Sequence, residues 1–138
     1  MDNVQRPSLK IDLSSDVPVV QQIVGGLRQA LLAGALQPGD GLPSSRSLAR
    51  DLGVHFNTVA QAYRVLESEG WLSLKRRSGT VVRERKAPEL ETLEREHLAE
   101  RFAGELRDLC ARYVALGLPT RSLGEVLSHL ANSEGTSS

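Results

Sequence analysis

Leu42-Pro43-Ser44-Ser45-Arg46-Ser47-Leu48-Ala49-Arg50-Asp51-Leu52-Gly53-Val54-His55-Phe56-Asn57-Thr58-Val59-Ala60-Gln61-Ala62-Tyr63-Arg64-Val65-Leu66-Glu67 is the stretch on which the fold turns. Its second half predicts a helix from about Phe56 to Glu69, because Val59, Ala62, Tyr63 and Leu66 fall at offsets 0, 3, 4 and 7. That spacing makes one apolar stripe for a core. The opposite side carries Asn57, Thr58, Gln61, Arg64 and Ser68, a polar face with little acid. Such a face suits phosphates and base edges.

The first half predicts a shorter helix introduced by Pro43 and capped by Ser44. Gly53 is free to take the left-handed conformation that ends it. Ala49, Gly53 and Val59 then stand at the spacing of a helix-turn-helix: a small residue at the crossing, a corner and an apolar plug. An ordinary helical hairpin would use the same parts. The residues beyond the second helix separate these two possibilities. Gly70 stops that helix, Trp71-Leu72-Ser73-Leu74-Lys75 reads as a strand, and Arg76-Arg77-Ser78-Gly79 as a turn. Thr80-Val81-Val82-Arg83 reads as the returning strand. A hairpin with three adjacent cations at its tip, directly after a helix-turn-helix, is the position of a wing. A solvated charge run is the plainer reading of the cations alone.

These residues resemble the DNA-binding domain of GntR-type bacterial transcriptional regulators. The likeness runs from about Val17 to Arg83. Leu42-Pro43-Ser44-Ser45-Arg46-Ser47-Leu48-Ala49, Leu52-Gly53-Val54, Asn57-Thr58-Val59, Ala62-Tyr63-Arg64-Val65-Leu66-Glu67, Gly70 and Gly79-Thr80-Val81-Val82 carry it. Asn-Thr-Val followed by Ala-Tyr looks most like the YtrA-type and MocR-type branches. The MocR type adds a long aminotransferase-like domain, for which about fifty residues leave no room. The resemblance implies a recognition helix in the major groove, with Asn57, Thr58 and Gln61 at or near base edges and Arg64 on the same face. It implies a phosphate or guanine contact for Arg46, the arginine of a Pro-Ser-x-Arg motif that also contains Ser44. Lys75, Arg76, Arg77 and Gly79 would place the wing on the backbone or in the minor groove. It further implies a two-helix dimerisation tail and GT…AC-type half-sites. Two departures stand out. Ser47 replaces a frequent Glu, which leaves the capping box from Ser44 incomplete. His55-Phe56 brings a poor N-cap and an aromatic ring where many relatives have a cation.

Around this centre, the 138 residues divide by charge. Residues 1–86 hold twelve Lys/Arg and eight Asp/Glu, net +4, and residues 87–138 hold five and nine, net −4. This asymmetry suggests a nucleic-acid-facing half and a half with another job. The expected architecture is mainly α with a small β-hairpin: a winged helix-turn-helix over 1–86 and a helical dimerisation tail over 87–138. Upstream, Leu9 to Leu13 alternates and reads as a short strand that joins the wing or crosses to a partner. Asp16 is placed to cap a helix from Pro18 to Ala33, striped by Val19, Ile23, Leu27, Ala30 and Leu31. Gly25-Gly26 sits awkwardly inside it, where close packing would call for the pair. Downstream, Pro88 marks the boundary. A long helix is expected from Glu89 to about Leu116, with Leu98, Phe102, Leu106, Leu109, Tyr113 and Leu116 as its apolar stripe. Ser122 to Glu125 reads as a capping box for a final helix of about eight residues, with Asn132 to Ser138 disordered. Two helices cannot bury so broad a stripe alone, so the expected partner is a second copy, giving a four-helix cluster. Folding back onto the winged domain is the other way to cover it.

Other chemistry finds no support. Cys110 reads as a small core hydrophobe, and Glu94 with His97 as an exposed helix face better than as metal ligands. There is no phosphate loop, nucleophile elbow, signal peptide or spanning segment. The expected protein is a soluble, cytoplasmic non-enzyme without metal or cofactor. It would bind double-stranded DNA as a homodimer, with repression the expected outcome; the sequence names no small-molecule effector. The alternative from another class is a winged-helix protein-interaction module that does not bind DNA.

Overall fold

A computed structural model describes residues 4–75 and 79–135, with side chains through 133. The elements run α1 (Val19–Leu32), β1 (Gly41–Leu42), α2 (Ser45–Leu52), α3 (Phe56–Ser68), β2 (Leu72–Lys75), β3 (Gly79–Val82), α4 (Thr92–Ala115) and α5 (Thr120–Gly135). The chain divides into two compact units, Met1–Lys86 and Ala87–Ser138.

In the first unit, α1, α2 and α3 close over a small antiparallel sheet. α3 buries Val59, Ala62, Tyr63 and Leu66, the stripe expected from the sequence. Against it lie Ile23, Leu27 and Leu31 of α1, Leu48 and Ala49 of α2, and Leu42, Leu72 and Val82 of the sheet. Ala49 is buried and Gly53 takes φ +70 with its N–H on the Ala49 carbonyl, so the turn between α2 and α3 is tight. Nothing crowds a Cβ at Gly53; the backbone conformation itself is what calls for glycine there. Ser44 caps α2, accepting from the Ser47 N–H at 3.1 Å.

The sheet is larger than the hairpin alone. β3 pairs with β2 through Leu72↔Val82 to Lys75↔Gly79, and on its other side β1 adds Gly41↔Val81 and Leu42↔Thr80, giving the order β1-β3-β2. The turn before β1 is tied down as well, by Gly39 N–H to the Val82 carbonyl and Val82 N–H to the Asp40 carbonyl, both 2.8 Å.

The N-terminal segment departs from its expected strand. Residues 9–13 form no strand; the chain instead makes a parallel bridge of Val4 with Gly41. Leu9 and Ile11 pack on the core. A Cβ on Gly26 would lie 2.6 Å from Leu9 Cδ2, so close approach by Leu9 accounts for Gly26, while Gly25 meets nothing within 4 Å. Asp16 does not cap α1. The N-cap is Pro18, which has no side-chain acceptor, and the Gln22 amide fastens the preceding loop through Asp12 and Val17.

The second unit is two helices. α4 begins at Thr92, not Glu89, with the Glu94 carboxylate accepting the Glu91 N–H at 3.0 Å. Gly117 at φ +105 ends it. α5 is twice the expected length. It starts at Thr120, so Ser122, whose N–H bonds the Pro119 carbonyl, sits in its first turn and is not its cap. Its helix extends to Gly135, into the stretch expected to be disordered. No residue of α4 is buried: Phe102 is 65% exposed, with Leu98, Leu109 and Tyr113 also exposed and Leu106 and Cys110 half-buried, and Leu116 at its C-cap is 80% exposed. No helix among the described residues is long and apolar enough to cross a membrane.

Candidate nucleic-acid interface

The outward face of α3 carries Asn57, Gln61 and Arg64, all exposed, with Thr58 half-buried beside them. These positions follow from the helix period: with 59, 62, 63 and 66 turned inward, 57, 61 and 64 must face out. The acids at the end of this helix are engaged elsewhere. Glu67 accepts the N–H of Leu74 in β2 at 3.0 Å, and Glu69 accepts from both Arg28 (2.6 Å) and the Trp71 indole (3.1 Å). The Arg28 hydrogen bond, with Trp71 and the charge of Arg85 adding to it, holds the Glu69 carboxyl below the usual glutamate range. The polar face of α3 therefore carries one carboxylate, the exposed Glu67 near its C-terminal end, which is tied to β2.

His55 caps α3. Its Nδ1 accepts from the Asn57 N–H at 3.1 Å, so the poor cap expected from the sequence is in fact the working one. A neutral imidazole has one lone pair to offer, and the extended backbone at His55 aims it into the first turn. Asn57, two residues on from the cap, is thereby relieved of capping.

Arg46, in the first turn of α2, is exposed and lies over the Phe56 ring, with Cζ 4.2 Å from the centroid. The Ser44 hydroxyl is used by the cap. Ser44 and Ser45 line an open cleft of about 320 Å³ together with Lys75 and Gly79, so the start of α2 and the base of the wing face one space. Gly79 has φ +74, as the return of a tight hairpin requires. Arg76 and Arg77, expected at the wing tip, lie outside the described residues.

Two further residues escape a reading of the sequence. Phe56 stands there only as a missing cation; its contact with Arg46 spans ten residues and has no local signature. Arg6 reaches α2, bonding Ser47 Oγ at 3.3 Å and pairing with Asp51, which neutralises the acid of that helix.

The model of the bacterial regulatory proteins of the gntR family matches residues 19–82, spanning all three helices and the wing. A solved structure of YtrA from Sulfolobus acidocaldarius, a GntR-family transcription factor, is 34% identical and covers 78% of this chain and 97% of that one, with a TM-score of 0.54. The chain belongs to the GntR family. Among curated GntR-type relatives, the transcriptional repressor YtrA of Bacillus subtilis is 40% identical over 76 residues, which is 55% of this chain and 58% of that protein. The chain thus aligns with under three fifths of that relative's length. The structure of a transcriptional antiterminator from Listeria monocytogenes is 25% identical, covers 90% of both chains and has a TM-score of 0.67, so the likeness of fold extends into residues 87–138.

Proposed function

We propose that this GntR-family chain is a sequence-specific DNA-binding transcriptional regulator that acts as a homodimer on an inverted-repeat operator. The observation that carries this reading is the acid-poor outer face of α3, with Asn57, Gln61 and Arg64 exposed, beside a cleft that the start of α2 shares with the base of the wing. In the major groove, Asn57, Thr58 and Gln61 would read base edges and Arg64 would take a phosphate. Ser44 and Arg46 at the start of α2 would fix the register, and Lys75, Arg76, Arg77 and Gly79 would hold the wing to the backbone. The net +4 of residues 1–86 supports the same assignment.

The tail supplies the second half of the proposal. Leu98, Phe102, Leu109, Tyr113 and Leu116 are exposed along one helix, a patch of the kind that monomers seldom leave uncovered. Pairing two copies through α4 and α5 would bury it, together with Leu106, about a two-fold axis. A dimer seated on an operator blocks whatever else needs that DNA, and the name of the Bacillus relative supports repression as the outcome.

Titration of duplex DNA at increasing salt tests the reading. Binding should weaken steeply with salt, and Arg77→Ala should lower the slope by about 0.9 for each phosphate it no longer neutralises. Arg46→Ala should reduce discrimination between sequences as well as affinity. Asn57→Ala should remove roughly 1–3 kcal/mol of discrimination with stability retained, since the cap is His55. Salt-independent binding, or none, would leave the protein-interaction module as the better account.

A further inference from the structure

We propose that Phe56 is a positioning residue for Arg46: its ring is a platform that holds the Arg46 guanidinium in one direction for contact with DNA. This rests on the assignment of Arg46 to the DNA-facing surface. Three observations meet at this point. The Arg46 Cζ stands 4.2 Å over the Phe56 centroid. The His55 ring stacks on Phe56, with centroids 4.7 Å apart and planes at 26°. His55 is itself fixed by the 3.1 Å bond from the Asn57 N–H to its Nδ1. The platform is thus anchored to the first turn of α3, while Phe56 is half-buried against the core. Among the described residues no carboxylate pairs with Arg46, so the ring is what orients it.

An exposed arginine samples many rotamers, and binding a base or phosphate must freeze them. A cation held over an aromatic face has already given up much of that freedom, and its N–H fork stays free at the edge of the ring. The arrangement also joins the two helices of the motif: a residue of α2 is aimed by a residue of α3.

The test is a double-mutant cycle on the full-length chain, titrated against a duplex that it has selected from a random pool. Thermal unfolding is followed in parallel. Phe56→Leu should weaken binding by about two- to five-fold when Arg46 is present. It should have no effect in the Arg46→Ala background. Phe56→Trp should restore or exceed the original affinity, a rescue that a mere packing role would not give. In the DNA-free protein, the Arg46 δ-methylene protons should show an upfield ring-current shift that disappears in Phe56→Leu and persists in Phe56→Trp. An equal loss of affinity with and without Arg46 would overturn the proposal in favour of packing or direct contact by Phe56. Absence of the ring-current shift would overturn it outright. If Arg46→Ala leaves DNA binding unchanged while the ring-current shift is present, the stack is real but the DNA-facing assignment of Arg46 is wrong.

Discussion

The hydroxyl of Tyr63, buried in the middle of α3, donates a 2.7 Å hydrogen bond to the carbonyl of Pro43, the residue before the cap of α2. This bond sets where the second helix of the motif lies against the entry to the first. Pro43 is itself buried, so its carbonyl has no water to turn to if the hydroxyl is removed.

Tyr63→Phe should therefore destabilise the first unit by about 1–3 kcal/mol, the cost of an unsatisfied buried acceptor without a cavity of any size. Urea unfolding measures it. Burial pushes the Tyr63 phenol well above the ordinary value of 10.0. The folded state thus holds this proton more tightly than the unfolded chain does. Its contribution is complete below pH 10 and is lost as pH rises above it. Tyr63→Phe should be the less alkali-sensitive protein; equal alkaline sensitivity would show that Tyr63 is not the group responsible.

The pair Arg28–Glu69 joins α1 to the end of α3, and Arg85 adds a bond to the Glu69 carbonyl while stacking on Trp71. Glu69 has a depressed folded pKa, so its stabilisation is complete above the ordinary 4.5 and is lost as pH falls below that value. With the two side chains 41% and 32% exposed, solvent screening limits the effect to about 1 kcal/mol or less. Glu69→Gln should cost that much at pH 7, with the difference from the parent shrinking in acid. Trp71 is the single tryptophan, so its fluorescence reports the change locally. A difference that stays constant down to pH 2 would contradict the pairing.

Glycines 25 and 26 should separate cleanly. Gly25→Ala meets open space in a helix and should stabilise by up to about 1 kcal/mol. Gly26→Ala must displace Leu9 and should gain less or lose outright. In a Leu9→Ala background it should recover the helix-propensity gain. Equal thermal stabilisation by both single substitutions would refute the close approach of Leu9.

The first unit was legible wherever local chemistry and burial agree. The period of Val59, Ala62, Tyr63 and Leu66, the Ser44 cap and the Gly53 corner each act within a few residues, and each could be read in place. The features that escaped depend on distant partners. β1 is two residues long and exists only because Thr80 and Val81 offer a free edge. The alternation of Leu9 to Leu13 resembles a strand, yet Leu9 is drawn onto Gly26 of α1 and the bridge falls at Val4. His55 caps because its backbone is extended, which propensity does not report. In the interface, the outward face of α3 followed from periodicity, whereas the Arg46–Phe56 stack needed the two helices docked.

Deleting residues 88–138 should leave a folded winged domain, since every residue of the buried core lies between Ile23 and Val82. The fragment should sediment as a monomer. It should bind a two-half-site duplex about 10²–10⁴-fold more weakly than the parent, because the two half-sites are no longer bound by one linked molecule. It is also more basic, so nonspecific binding at low salt should rise. A fragment that stays dimeric, or keeps the parental affinity, would move the subunit contact out of α4 and α5.

The most direct test of the account is selection of bound duplexes from a random-sequence pool by the full-length protein, followed by sequencing. Two recognition helices on a two-fold axis predict enriched sites that are inverted repeats, with half-site centres spaced to match one face of the DNA and enrichment abolished at high salt. Enrichment of single half-sites or direct repeats would contradict the symmetric dimer, and no enrichment over the starting pool would contradict sequence-specific DNA binding itself.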